Sequence, residues 1–462
     1  MSTVKQQDGF KSKWGFIMAC IGSAVGMANI WRFPVMVSKY GGLTFLIPYF
    51  IFVVVVGMSG VMEEFSLGRW GGGPVEAFGS AMENGGKSKK LGAAIGALPV
   101  IGAMGLAIGY SVVMGWIFKY TWMGISGSLF AMGQDMATIG GTFGAAAPET
   151  ATLGEGVSLM LSNGVFGIGN GVWIIVAIAV SVIIMALGVA GGIEKACKVL
   201  IPALFGVFLV LAVYIAFLPG AADGYKYIFT LDPKGLLNWE VWIFAFGQAF
   251  FSLSVAGNGS VIYGSYLGKD VEISSSARNV ALFDTLAALV AMMVIIPAMA
   301  TSGAELSSGG PGLMFVYLVP VMNGMLGGRI VGAFFFIAVL FAGVSSIINL
   351  YETPVAFVQE KLKMNRLVAT ILVHAVGLVV ALLIQPWTSQ WMDMVSIYIC
   401  PLGAALAGIM YFWVMKKETA LDAVNLGANK PVGGWFHPFG KWVYVPLCII
   451  ALIAGAALGG IG

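Results

Sequence analysis

Long apolar segments follow one another from end to end of this chain, and nothing else in it restricts the possible folds so strongly. They read as eleven stretches, at 14–36, 42–68, 91–122, 170–189, 194–217, 239–264, 275–302, 327–359, 366–384, 389–415 and 440–460. A helix needs about 20 apolar residues to cross the ~30 Å hydrocarbon layer of a bilayer. Stretches longer than that tilt or project from it. Lipid offers no hydrogen bonds, so a spanning backbone must satisfy itself, which makes these segments helices. Charged residues are only 10% of the 462 and apolar ones 59%, against roughly 25% charged in soluble domains. So few charges cannot cover a soluble surface of this size. The expected fold is an all-α membrane protein of about eleven transmembrane helices, with the lipid bilayer as its main partner.

The net charge of +3 comes without any basic run that would suit a nucleic acid. Cys20, Cys197, Cys400 and Cys448 all lie in or beside apolar segments without metal-ligand spacing, and read as small packing residues. The polar start, Met1 to Lys13, leads into a full-length apolar segment with no small-residue cleavage site, so no signal peptide is expected. Lys5, Lys11, Lys13, Arg69, Lys87, Lys89, Lys90, Lys195, Lys198, Lys269, Arg278, Lys361, Lys363, Arg366, Lys416 and Lys417 fall on one side, whereas the connection from Thr121 to Gly169 has no Lys or Arg. Positive residues stay in the cytoplasm. The amino terminus is therefore expected inside the cell membrane and the carboxyl terminus outside. No polar linker divides the chain, so residues 1–462 read as one domain with no obligate protein partner evident.

Two segments are interrupted. The first contains Gly22-Ser23-Ala24-Val25-Gly26-Met27-Ala28-Asn29, and the sixth contains Ser252-Leu253-Ser254-Val255-Ala256-Gly257-Asn258-Gly259-Ser260. Glycine in either alone fits close helix packing. A pair of such breaks, five segments apart, points to inverted repeats around a site at mid-membrane, where freed carbonyls bind cations and half-helix amino termini face an anion. Arg32, Glu63, Glu64, Asp284, Glu352 and Asp393 add charges within or near apolar spans. Each costs at least about 2.5–3.5 kcal/mol there, so such residues are paired or functional. Glu63 is the weakest of the set, because it falls near the cytoplasmic end of its segment.

GSAVGMANIWRFP (22–34), YGG (40–42), EEFSLGRWGG (63–72), YSVVMGW (110–116), GQAFFSLSVAGNGSVIYGSY (247–266) and FAGVSSIINLYE (341–352) resemble, in order, the motifs of the neurotransmitter:sodium symporters. The likeness is greatest to bacterial amino-acid transporters of the leucine-transporter type, and it covers nearly the whole chain. It implies a 5+5 inverted repeat with helices 1 and 6 unwound at mid-membrane. The first repeat spans about 14–217, the second about 239–415, and an extra helix about 440–460. By the same resemblance, one sodium ion would be held by Ala24, Asn29, Ser252, Asp284 and the substrate carboxylate. A second would be held by Gly22, Val25, Ala342, Ser345 and Ser346. Spacing alone leaves the serine pair equally able to bond its own or a neighbouring backbone. Many relatives have Asn at position 284, and the chloride-binding animal members have Ser where this chain has Ala288. A fixed carboxylate in place of chloride implies chloride independence.

The resemblance further implies a substrate pocket of Ser23, Ala24, Met27, Ala28, Leu106, Tyr110, Phe251, Ser252, Ser254, Gly257, Ser346, Asn349 and Leu350. Tyr110 would donate to a substrate carboxylate. Gly26 stands where monoamine carriers have Asp, so the ligand must bring its own anion, as an α-amino acid does. Met27, Leu106 and Leu350 favour an apolar side chain, whereas Asn349 suits a polar group. Arg32 and Asp393, with Phe251, resemble the outer gate. At the inner gate Glu360 is the acidic partner, but Gln7 and Phe10 replace the usual Arg and Trp, leaving Lys5 or Lys11 as the candidate cation. The reading is a sodium-coupled importer of a hydrophobic amino acid, with a betaine- or taurine-like osmolyte as the alternative. With two histidines, no His-Glu-x-x-His and no serine with a base, the chain does not read as an enzyme.

Overall fold

The computed structural model describes residues 9–164, 166–255, 259–302 and 312–460, and these are helical with no strand among them. The helices used below are, in chain order, α1 (Lys13–Ala24), α2 (Ala28–Tyr40), α3 (Gly42–Gly71), α4 (Lys89–Ser126), α5 (Gly171–Ala186), α6 (Val189–Ala216), α7 (Trp239–Ser252), α8 (Gly259–Ser265), α9 (Ile273–Thr301), α10 (Gly328–Leu362), α11 (Arg366–Leu383), α12 (Gln385–Val414) and α13 (Phe436–Leu458). Eight of these (α3, α4, α6 and α9 to α13) are individually long and apolar enough to cross a membrane. The pair α1 and α2 makes one more span, bent by 57° at its break. The interrupted pair α7 and α8 and the 16-residue α5 account for the other two expected stretches.

Helix ends differ from expectation where glycine decides them. Gly127, at φ 86°, stops α4 four residues beyond the apolar stretch. Gly188, at φ 89°, ends the α5 region early, and α6 then starts at Val189, ahead of its expected first residue. Both conformations are left-handed and suit a residue without Cβ. The connection between α4 and α5 holds three short helices, Ser128–Ala131, Met136–Ala146 and Leu153–Asn163.

The bundle is built around its broken helices. The long α10 packs against α4 and α6, and α1 lies against both α6 and α10. Helix α7 runs along α3, while α8 packs on the last turns of α3. That last contact is backbone on backbone: a Cβ on Gly264 would sit 2.8 Å from the Phe65 Cα, and one on Gly68 would collide with the Val261 carbonyl. Small residues make such close approach possible where no water drives helices together. Behind α10, His374 of α11 bonds Ser181 of α5 at 2.9 Å and stacks on Tyr351 at 4.0 Å. Large apolar side chains such as Ile183, Val210, Val213, Ile330 and Ile453 face outward, as a bilayer-facing surface requires. The four cysteines are buried and free.

Candidate functional site

The last carbonyls of a helix have no partner within it. At the end of α1 that leaves oxygens in the middle of the protein. Val25 is extended (ψ 103°), although its N–H still reaches the Ile21 carbonyl at 2.7 Å. Two carbonyls around the break turn toward α10, where Ser346 Oγ lies 3.4 Å from the Gly22 oxygen and 3.1 Å from that of Val25. Ser345 Oγ donates to the Ala342 carbonyl at 2.9 Å. One hydroxyl proton cannot fill two carbonyls, so this group is rich in oxygen and short of donors. Gly22 has to be glycine, since a Cβ there would lie 2.9 Å from the Ser345 Cβ.

A second group forms where α2 begins. Asn29 Oδ1 accepts the Gly26 N–H at 3.0 Å and so bridges the break. Its Nδ2 donates to Asp284 Oδ1 at 2.8 Å and to Ser252 Oγ at 3.0 Å, and Ser252 Oγ donates to Asp284 Oδ2 at 2.7 Å. Asn29, Ser252 and Asp284 are all fully buried. Among the described residues no Lys or Arg pairs with Asp284. A carboxylate held only by neutral donors in a low dielectric has an unmet demand for positive charge. The hydroxyls of Tyr49 and Thr285 lie buried close by. Sequence reasoning missed both, because Tyr49 sits in an uninterrupted apolar run and Thr285 is an ordinary helix residue.

Several of the remaining pocket positions meet these two groups. A Cβ on Gly26 would lie 2.9 Å from Ser346 Oγ and 3.6 Å from the hydroxyl of the buried Tyr110. Gln248, also unforeseen, donates to the Ala28 carbonyl at 3.1 Å. Ser254 has a positive φ of 55°, and its Oγ donates to the Ser23 carbonyl at 2.7 Å. Such backbone strain, of order 1–3 kcal/mol, collects at functional sites. Asn349 Nδ2 donates to Ser23 Oγ. Ala24 and Met27 are buried, and Leu106, Phe251 and Leu350 are partly buried against the core. Gly257 lies outside the described residues.

The charged positions have varied surroundings. Arg32 and Asp393 sense each other's charge but form no ion pair among the described residues, and Arg32 Nε is unpaired. Glu360 pairs with its neighbour Lys361 at 2.7 Å. The backbone N–H of Lys11 donates to Glu194 at 2.7 Å, where Ser12 and Lys198 also bond; Lys5 and Gln7 lie outside the described residues. Phe10 packs edge-on against Phe16, Tyr263 and Tyr266. Glu63, expected near a helix end, is as buried as Glu64, because the last turns of α3 are covered by α8 and by Tyr444 of α13. Glu352 was expected to be paired, and its partner is Arg366, through two bonds of 2.9 and 2.7 Å, with Tyr266 adding a third at 2.5 Å. Helical spacing does not reveal that pair, because a turn separates α10 from α11.

Two interrupted spans, with backbone carbonyls, hydroxyls and a buried acid gathered at the breaks, are the architecture of a membrane transporter. The chain belongs to the sodium:neurotransmitter symporter family, whose profile matches residues 7–133 and 146–456. YhdH of Bacillus subtilis, an uncharacterized sodium-dependent transporter, is 30% identical over 95% of each chain. An uncharacterized sodium-dependent transporter of Methanocaldococcus jannaschii is 28% identical over 97% of this chain and 90% of its own. The crystal structure of MhsT in complex with L-phenylalanine superposes with a TM-score of 0.80 at 29% identity, covering 97% of this chain and all of that one. This protein is thus a sodium-dependent symporter with the inverted-repeat fold of the leucine-transporter type.

Proposed function

We propose that the chain imports a hydrophobic α-amino acid together with two sodium ions and without chloride. The observation that carries this reading is the meeting of Asn29, Ser252 and Asp284 on one side of Gly26, with Ser346 and the Gly22 and Val25 carbonyls on the other. The first group, with Ala24, takes one sodium ion and the second, with Ala342 and Ser345, takes the other. A weakly polarising monovalent ion suits such hard, mostly neutral oxygens and can leave them again. Tyr110 and the bare Gly26 leave space for a substrate carboxylate. Sodium and substrate then couple directly, because the carboxylate completes the first ion's shell.

Asp284 supports chloride independence. The donors of Asn29 and Ser252 are already turned on a fixed carboxylate, and Ala288 adds no donor one turn later. Amino-acid relatives agree with the substrate class: MhsT was solved with L-phenylalanine, and a Drosophila grimshawi relative, 26% identical over 95% of this chain, is a sodium-dependent nutrient amino acid transporter. Arg32 and Asp393, bridged through water, form the outer gate with Phe251, and Glu360 belongs to the inner one. The protein sits in the cell membrane with its amino terminus in the cytoplasm and its carboxyl terminus outside.

A thermal-shift screen of the standard amino acids in sodium against potassium tests this. Stabilisation is expected only when sodium and an amino acid with an uncharged, largely apolar side chain are both present. Sodium-indifferent binding would overturn the coupling, and stabilisation by betaine or taurine alone would replace the substrate class. Uptake into proteoliposomes is expected to be unchanged when gluconate replaces chloride.

A further inference from the structure

Asn349 lies on α10 three residues after Ser346, so the two share one helix face. Ser346 approaches the Gly22 and Val25 carbonyls, and Asn349 approaches Ser23 and the start of α8, so the two residues line the breaks at neighbouring levels of the proposed pocket. It is 2% exposed. Its amide is only half used: Nδ2 donates to Ser23 Oγ, whereas Oδ1 has no partner among the described residues. The nearest neighbours do not fill the gap. Ser254, whose hydroxyl is another donor nearby, has its Oγ committed to the Ser23 carbonyl at 2.7 Å. Helix α8 arrives with bare backbone, since a Cβ on Gly259 would lie 2.8 Å from Asn349 Nδ2 and 3.4 Å from Oδ1. The pocket walls at Met27, Leu106 and Leu350 carry no hydrogen-bond donor. A buried acceptor without a partner is destabilising, and one facing a binding site recovers that loss when the ligand supplies a donor.

We infer that Asn349 Oδ1 is a selectivity site that takes a hydrogen bond from the side chain of the transported amino acid, a hydroxyl or a ring N–H. This rests on the amino-acid pocket proposed above and narrows it. A purely apolar side chain of the same size excludes water from the amide oxygen and leaves it bare. A donor-bearing side chain satisfies it. Ser23 acts as a positioning residue: its hydroxyl accepts from Nδ2 and so turns Oδ1 toward the ligand.

Matched ligand pairs test this on the purified, full-length protein in sodium: tyrosine against phenylalanine, tryptophan against 1-methyltryptophan, and threonine against valine. Binding is read by thermal shift and by competition. The donor-bearing member of the tightest-binding pair is expected to bind at least about tenfold better, since sites built around a substrate hydrogen bond reject analogues that lack it. Asn349→Leu is expected to collapse that ratio toward one, chiefly by improving the donorless partner. Equal binding within every pair, or a ratio that survives in N349L, overturns the inference. If N349L does not fold, the wild-type ratios decide alone. Failure of every amino acid to bind in sodium would remove the amino-acid reading and this inference with it, whereas equal binding within pairs removes only the inference.

Discussion

Asp284 is the residue on which the ion chemistry turns. It brings a full negative charge into a buried site where Asn29 and Ser252 supply only neutral donors. Asp284→Asn is expected to raise the sodium concentration for half-maximal binding by about tenfold or more, because a unit charge at contact distance is worth several kcal/mol at an effective dielectric near 20. The same variant should make binding respond to chloride. Isothermal titration with sodium in chloride and in gluconate reads both; unchanged sodium affinity would remove Asp284 from the ion site. Ser346 serves the other site through its approach to the Gly22 and Val25 carbonyls. Ser346→Ala is expected to weaken sodium binding by about tenfold while costing about 1 kcal/mol or less of stability in potassium, since a single neutral hydrogen bond contributes about that much.

Among the helices, what matters is where they stop. The α1 break frees carbonyls that an intact helix would consume, and Asn29 then spans it with its side chain. Both breaks were legible from glycine and hydroxyl residues inside apolar runs. The clasp between α10 and α11 was legible only as an unplaced charge. Glu352 is fully buried and its bidentate partner Arg366 is nearly so. Removing one partner of such a pair leaves a charge uncompensated at about 3–5 kcal/mol. Arg366→Met should therefore lower the melting temperature sharply, and adding Glu352→Gln should restore much of the loss. Equal, additive losses in the double-mutant cycle would show that the pair contributes little coupling.

Across the whole molecule, binding and membrane orientation make separate predictions. A ligand at 100 times its Kd stabilises the state that binds it by about 2.7 kcal/mol. Saturating sodium with substrate should accordingly raise the melting temperature over potassium by more than sodium alone. Orientation can be read by thiol labelling, because the native cysteines are buried. Cysteines placed at Gly140 and Gly434 meet nothing within 4 Å. An impermeant reagent added to intact cells should modify the first at once and the second only after permeabilisation; the reverse pattern would invert the topology.

Apolar run length, the two interrupted segments and the lysine distribution carry the helical class, the number of segments and the location of the site, because these follow from local chemistry and the demands of a bilayer. The proposed ion ligands, by contrast, came from the family resemblance, through motifs that keep their order. Tertiary structure decided what depends on distant residues meeting. It drew Tyr49, Thr285 and Gln248 in around the two breaks, paired Glu352 with Arg366, and left Arg32 Nε without a partner among the described residues. It also left one oxygen of Asn349 unpaired among them. A sequence lists donors and acceptors, but which of them remain unpaired is settled only when helices far apart in the chain pack together.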